Sequence, residues 1–200
     1  MSTSYARAET MAGALVAPVT WGRAAALVFA FSLLVALSAQ VVVPLPWTPV
    51  PLTGLTFAVL LTGALLGSRL GALALAAYLL EGALGLPFFK GGAGGFAYLL
   101  ASPTTGYLLA CPLAAFLTGA LAERGWDRRF TTAAAAMALG SAVILACGWA
   151  WLALFFNSAA EAFRLGVAPF LAGDIVKVAL AAALLPAGWK LLRRTSPPLR

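Results

Sequence analysis

The 200-residue sequence has no histidine, only two cysteines and only six acidic residues. Without histidine there is no Ser-His-Asp or Cys-His catalytic arrangement and no histidine-ligated metal centre. Cys111 and Cys147 both sit in apolar runs. Two isolated cysteines imply no disulfide framework and are too few to close a zinc site. Charged residues make up 10% of the chain, against about 25% in an ordinary soluble protein. At that ratio a soluble globule lacks the polar side chains to cover its outside, and the same composition excludes a disordered chain. A phosphate-cradling G-x-x-x-x-G-K-[ST] loop occurs nowhere in the chain, so the sequence carries no nucleotide site of that type.

Apolar residues are abundant instead, at 62% of the chain, and the composition reads as one integral membrane domain. The net charge is +7. The basic residues stand at the ends of apolar runs and form no dense stripe, which argues against nucleic-acid binding and for a role in membrane orientation.

Six apolar runs, at 24–43, 52–67, 70–89, 105–122, 131–156 and 167–192, approach the roughly 20 residues needed to cross a bilayer core of about 30 Å. They are apolar all round rather than amphipathic. The second is short for a span. Prolines at 44, 46, 49 and 51, the Gly67-Ser68-Arg69 turn, and the stretches 87–103, 123–129 and 157–166 separate them. Ser38-Ala39 has the small side chains of a signal-peptide cleavage site. The apolar run before it is longer than the 7–15 residues of a signal core, so it reads as a retained first span. With six spans, Arg7, Arg23, Arg69, Arg124, Arg128, Arg129, Lys190, Arg193, Arg194 and Arg200 fall on one side, and only Lys90 and Arg164 on the other. By the positive-inside rule both termini are then cytoplasmic. The expected fold is an all-α, polytopic six-helix bundle over 23–193, with cytoplasmic segments at 1–22 and 194–200.

Ionisable residues inside spans are costly and mark function. Asp174 and Lys177 lie early in the sixth span, three residues apart and so on one helical face. They form either a self-satisfied ion pair that fixes helix rotation or the polar lining of a pocket open to the outside. Glu81, in the third span, pairs with Lys90 or Lys177 or lines the same cavity. On the outer side lies Pro87-Phe-Phe-Lys-Gly91-Gly92-Ala-Gly94-Gly95-Phe-Ala-Tyr98, a glycine-rich loop flanked by aromatics, suited to close approach of its backbone to a small ligand. The stretch Pro44-Leu-Pro-Trp47-Thr48-Pro-Val-Pro51, on the same side, is too proline-dense for helix. It reads as a stiff extended cap or as a loop with an interfacial Trp anchor. Ala26 and Ala30 give the first span a small-residue face of the kind that lets helices approach closely, although an alanine-rich chain shows such spacing in ordinary packing.

Five segments in order carry a family resemblance from about Ala26 to about Pro186: Pro49-Val-Pro-Leu-Thr53 after Ala39-Gln40; Leu65-Leu-Gly-Ser-Arg-Leu-Gly71; Gly85-Leu-Pro87 followed by Gly91-Gly-Ala-Gly-Gly95; Pro103-Thr104 with Gly106-Tyr107-Leu108; and Pro169-Phe170 with Gly173-Asp174 and Lys177. The chain resembles the BioY family, the biotin-specific substrate-capture (S) components of energy-coupling factor (ECF) transporters. It departs from the family pattern where Ser102 and Thr105 replace two glycines around the fourth span, and where the histidine common near the start of span five is missing.

The resemblance implies the six-helix S-component fold and a high-affinity biotin-capture function without catalysis. Biotin would lie near the outer face under the first-to-second and third-to-fourth span loops. Asp174 and Lys177 match the family's acidic and basic substrate residues. Trp47, Thr48, Gly91, Gly92, Gly94, Gly95 and Tyr107 would complete the site, and Phe88, Phe89 and Tyr98 are further aromatics able to cover the ligand's apolar ring. The implied partners are biotin, membrane lipid, an energy-coupling transmembrane subunit docked on Ala26 and Ala30, and two ATP-binding-cassette ATPases. No cofactor is expected, since ATP would act only through those subunits. Two other classes compete: an intramembrane enzyme, for which Asp174, Lys177 and Glu81 alone are a poor constellation, and a secondary transporter or channel acting alone, which usually shows two related halves.

Overall fold

The computed structural model of the chain describes residues 10–16 and 20–195. Arg7 and Arg200 lie outside the described residues. Among the described residues there are nine α-helices: α1 (Met11–Val16), α2 (Trp21–Ala39), α3 (Leu55–Leu66), α4 (Ser68–Ala83), α5 (Phe96–Ala101), α6 (Thr105–Glu123), α7 (Phe130–Phe156), α8 (Ala159–Gly166) and α9 (Ala168–Thr195). Each of the six apolar runs overlaps one of the helices α2, α3, α4, α6, α7 and α9. Four of these, α2, α6, α7 and α9, are long and apolar enough to cross a membrane. At 1.5 Å per residue, the 12 residues of α3 reach about 18 Å and the 16 of α4 about 24 Å.

The reason α3 is short lies in the proline stretch before it. Residues 42–43 and 52–53, within or beside the first two apolar runs, form two short strands instead, β1 (Val42–Val43) and β2 (Leu52–Thr53). They pair antiparallel, Val42 with Thr53 and Val43 with Leu52. The expected stiff extended segment is therefore a closed hairpin, a small β element in an otherwise helical fold. The tip carries the four prolines, whose missing amides keep it out of any longer ladder.

α6 is the central helix. Two thirds of its apolar window (67%) is buried within the protein, against 22–28% for α2, α7 and α9. Close approach is built on glycine. A Cβ at Gly63 of α3 would fall 2.3 Å from the Ala115 carbonyl oxygen of α6, so only a bare Cα admits that crossing. α3 turns into α4 through the single residue Gly67, at φ 88°. The new helix N-terminus is capped from α6, where Glu123 Oε1 accepts from the Ser68 amide at 2.7 Å and from its hydroxyl at 2.9 Å. A carboxylate there offsets the positive end of the helix dipole. Near the same end, the Trp189 indole donates to Asp127, tying α9 to the α6–α7 turn, and the Arg128 guanidinium lies 4.9 Å over the Trp189 ring. Burial raises the Asp127 carboxyl above the usual range, against the opposing pull of Trp189 and Arg128.

The hairpin, the 84–104 segment and α8 gather at the opposite end. The stretch 157–166, expected only to separate two apolar runs, contains the short helix α8, capped where the Ser158 hydroxyl accepts from the Glu161 amide at 3.3 Å. The Glu161 carboxylate pairs instead with Arg164, at 2.7 Å on the surface. Lys90 and Arg164 are thus at the loop end, while Arg23, Arg69, Arg124, Arg128, Arg129 and Lys190 are at the other.

Candidate ligand-binding site

Beneath the hairpin lies a cavity with about 640 Å³ of non-atom space, part of it open to solvent. Its walls come from α2, the hairpin, α3, α4, the glycine loop, α5, α6, α7 and α9. Apolar and aromatic groups dominate: Val50, Leu55, Tyr78, Tyr98, Tyr107, Leu108, Ile144 and Phe170. The charged groups among its lining residues are Asp174, Lys177 and Lys90. Small-ligand sites are commonly built this way, mostly apolar with few placed polar groups.

Asp174 is buried, and its Oδ2 accepts a short hydrogen bond from the Ser141 hydroxyl of α7. Its Oδ1 faces the Lys177 ammonium at 3.8 Å. Lys177 also donates to Thr56 Oγ1 of α3 at 2.7 Å. The two residues thus face each other as an ion pair, and both are among the residues that line the cavity. Of the cavity's tyrosines, Tyr107 is anchored, donating to the Gly166 carbonyl at 2.6 Å. The hydroxyl of Tyr98 is buried and has no partner among the described residues.

The loop residues named from sequence fall outside this lining. Trp47 is 63% exposed on the hairpin tip. The Thr48 hydroxyl donates to the Leu165 carbonyl at 2.6 Å, fastening the tip to α8. Gly91, Gly92 and Gly95 have positive φ of 66°, 76° and 97°, which shapes a turn at low steric cost. Gly94 is required by closeness, since a Cβ there would be 2.3 Å from the Leu86 carbonyl oxygen. These glycines shape the loop, and the lining residues from this region are Lys90 and Tyr98. Phe88 and Phe89 sit behind the cavity wall: Phe89, buried, stacks on Tyr98 with centroids 5.5 Å apart and meets Tyr78 edge-on at 5.8 Å.

Sequence reasoning missed Thr56, Tyr78, Ser141 and Phe170 as site groups, because no local pattern distinguishes a cavity-facing Thr or Ser from one packed elsewhere. It also missed the role of Gln40. This residue ends α2 and accepts from the Gly92 amide at 2.9 Å while its amide nitrogen reaches the carbonyls of Phe88 and Phe89 at 3.3 and 3.2 Å. Glu81 forms no ion pair among the described residues, does not line the cavity, and has a buried Oε2 without a hydrogen-bond partner. Ala26 and Ala30 are both exposed on α2, so they do not serve packing inside the chain.

Apolar helices around a partly enclosed, polar-floored cavity define an integral membrane protein with a small-ligand site. The BioY family profile matches residues 9–194, and the chain belongs to the BioY family. It is 45% identical to the probable biotin transporter BioY of Pyrococcus horikoshii, over 78% of this chain and 89% of that protein. Against the biotin transporter BioY of Thermotoga maritima it is 37% identical, over 77% of this chain and 88% of that protein. Its fold is similar to the crystal structure of the S-component for biotin from an ECF-type ABC transporter, with a TM-score of 0.77 at 22% identity over 89% of this chain and 96% of that one. The family is one of transporter components rather than enzymes.

Proposed function

We propose that the chain captures biotin from outside the cell membrane and passes it inward as the substrate-binding subunit of an ECF transporter. The observation that carries this is the cavity itself: an apolar ring-lined space whose floor holds the Asp174–Lys177 ion pair. Biotin offers matching chemistry. Its ureido ring has two N–H donors and one acceptor, its thioether ring is apolar, and its tail ends in a carboxylate. Asp174 would accept from a ureido N–H and Lys177 would donate to the ureido oxygen, both as charge-assisted bonds. Tyr78, Tyr107 and Phe170 would cover the thioether ring. Trp47 and Thr48 on the hairpin, with Gly91, Gly92, Gly94 and Gly95 in the facing loop, would form the lid. The names of the relatives support this choice of ligand.

In this proposal the six helices α2, α3, α4, α6, α7 and α9 are the spans of a 23–193 membrane domain, and both termini face the cytoplasm. The short α3 fits because β2 takes over its outer end: irregular backbone is tolerated at membrane depth where it lines a cavity. The basic residues clustered at the end away from the lid support that orientation. The exposed face at Ala26 and Ala30 would dock the energy-coupling transmembrane subunit, with two ABC-type ATPases supplying energy. The subunit itself would use no cofactor and catalyse no reaction.

The test is binding of labelled biotin to the purified chain in detergent, with unlabelled biotin, riboflavin and thiamine as competitors. One-to-one binding displaced by biotin alone is the expected outcome. A folded, monodisperse sample that binds no biotin would overturn the assignment of substrate.

A further inference from the structure

Lys90 sits where two spaces meet. It lines the inner cavity together with Asp174 and Lys177, and it also lines an outer groove formed with Val42, Leu45 and Gly91. Its backbone is held firmly for a loop residue. Phe89, next in the chain, is fully packed, and the Phe89 and Ala93 backbones bridge across the turn, with the Phe89 amide donating to the Ala93 carbonyl at 2.9 Å. The side chain is poorly satisfied by comparison. Its one hydrogen bond among the described residues is to the Pro49 carbonyl, at a long 3.4 Å. None of the described acids lies within ion-pair distance of it. An ammonium has three donors, so a half-buried one with a single long contact is short of partners, and burial lowers its pKa accordingly.

The balance of charge in the cavity points the same way. Asp174 and Lys177 offset each other at the floor, which leaves Lys90 as the uncompensated cation among the lining residues. A neutral ligand would leave it so. A ligand bearing one carboxylate at the end remote from its polar ring would neutralise it at the mouth while the ring occupies the floor.

Building on the biotin-capture reading, we propose that Lys90 is a specificity-determining residue: it recognises the ligand's carboxylate at the cavity mouth, exchanging its contact with Pro49 for a charge-assisted bond. The binding requirement is then divided in space, with Asp174 and Lys177 selecting the ring and Lys90 selecting the acid. Because Lys90 belongs to the glycine loop, the same bond would tie the bound ligand to that loop.

The experiment compares biotin with biotinamide, which keeps the rings and tail and lacks the charge, as competitors of labelled biotin on the purified chain. Wild type is expected to prefer biotin by about tenfold or more, the range of a hydrogen bond between charged groups. Lys90→Gln should bring the ratio towards one by weakening biotin far more than biotinamide, and Lys90→Arg should preserve it. Lys90→Met serves as the second neutral variant if the Gln variant is not monodisperse. A Lys90→Gln protein that keeps the wild-type ratio, or that weakens both ligands alike, overturns the inference while leaving biotin capture intact. Wild-type protein that binds neither ligand overturns both.

Discussion

Asp174 has two carboxylate oxygens with different duties: one accepts from Ser141 and the other faces Lys177. Asparagine at this position still offers Ser141 an acceptor but removes the charge that offsets Lys177. Lys177 would then be left partly buried with Thr56 as its remaining hydrogen-bond partner. Asp174→Asn is expected to fold and to lose at least about tenfold in biotin affinity, as is usual for a lost charge-assisted bond. Lys177→Ala should lose as much or more, because it strands the buried Asp174 without its counter-ion. Titration calorimetry on the detergent-purified variants checks both. Wild-type affinity in both would remove this pair from the site. At this scale the sequence was informative for one reason: residues three apart on a helix share a face wherever the helix goes. It was silent on Ser141 and Thr56, whose distances from their partners along the chain, 33 and 121 residues, carry no local signature.

Among elements, the hairpin and the glycine loop are held by different means. The hairpin is fastened to α8 by Thr48. The glycine loop is fastened to the end of α2 by Gln40, whose side-chain amide meets the backbone of residues 88, 89 and 92. Loops of this kind lie at the low-stability end of a structure and open locally. Gln40→Leu removes one acceptor and one donor from the loop backbone without altering the cavity lining. It should leave the ligand association rate nearly unchanged, speed dissociation by roughly 5- to 30-fold given about 1–2 kcal/mol for such neutral bonds, and raise amide hydrogen exchange over 86–95. Unchanged dissociation and exchange would show that Gln40 does not hold the loop. The hairpin itself was only half legible. Four prolines excluded helix, but the pairing of Val42 with Thr53 spans the turn and depends on where α3 begins.

At the scale of the whole molecule, the hairpin end and the basic end are opposite poles of the bundle. The proposed orientation puts α8 outside and the α6–α7 turn inside. Phe163 of α8 and Arg129 before α7 are both exposed and serve as reporters. In a background with Cys111 and Cys147 replaced by serine, Phe163→Cys should react with a membrane-impermeant thiol reagent in intact cells. Arg129→Cys should react only after the membrane is opened. The reverse pattern would invert the topology and put the cavity mouth on the cytoplasmic side.

The sequence by itself determined the membrane setting, the apolar helical runs, the shared face of Asp174 and Lys177, and the family. Each rests on composition, short-range periodicity or ordered motifs, which the chain carries before it folds. Tertiary structure decided the rest. It shortened α3 by turning Leu52–Thr53 into a strand, put Lys90 beside Pro49 rather than Glu81, and left Trp47 exposed and Tyr78 and Phe170 on the cavity wall. The physical reason is that a cavity is bounded by surfaces of elements far apart in sequence. Which side chains face it depends on how closely the helices approach, and at Gly63 that approach is set by a missing Cβ on one helix and a backbone carbonyl on another.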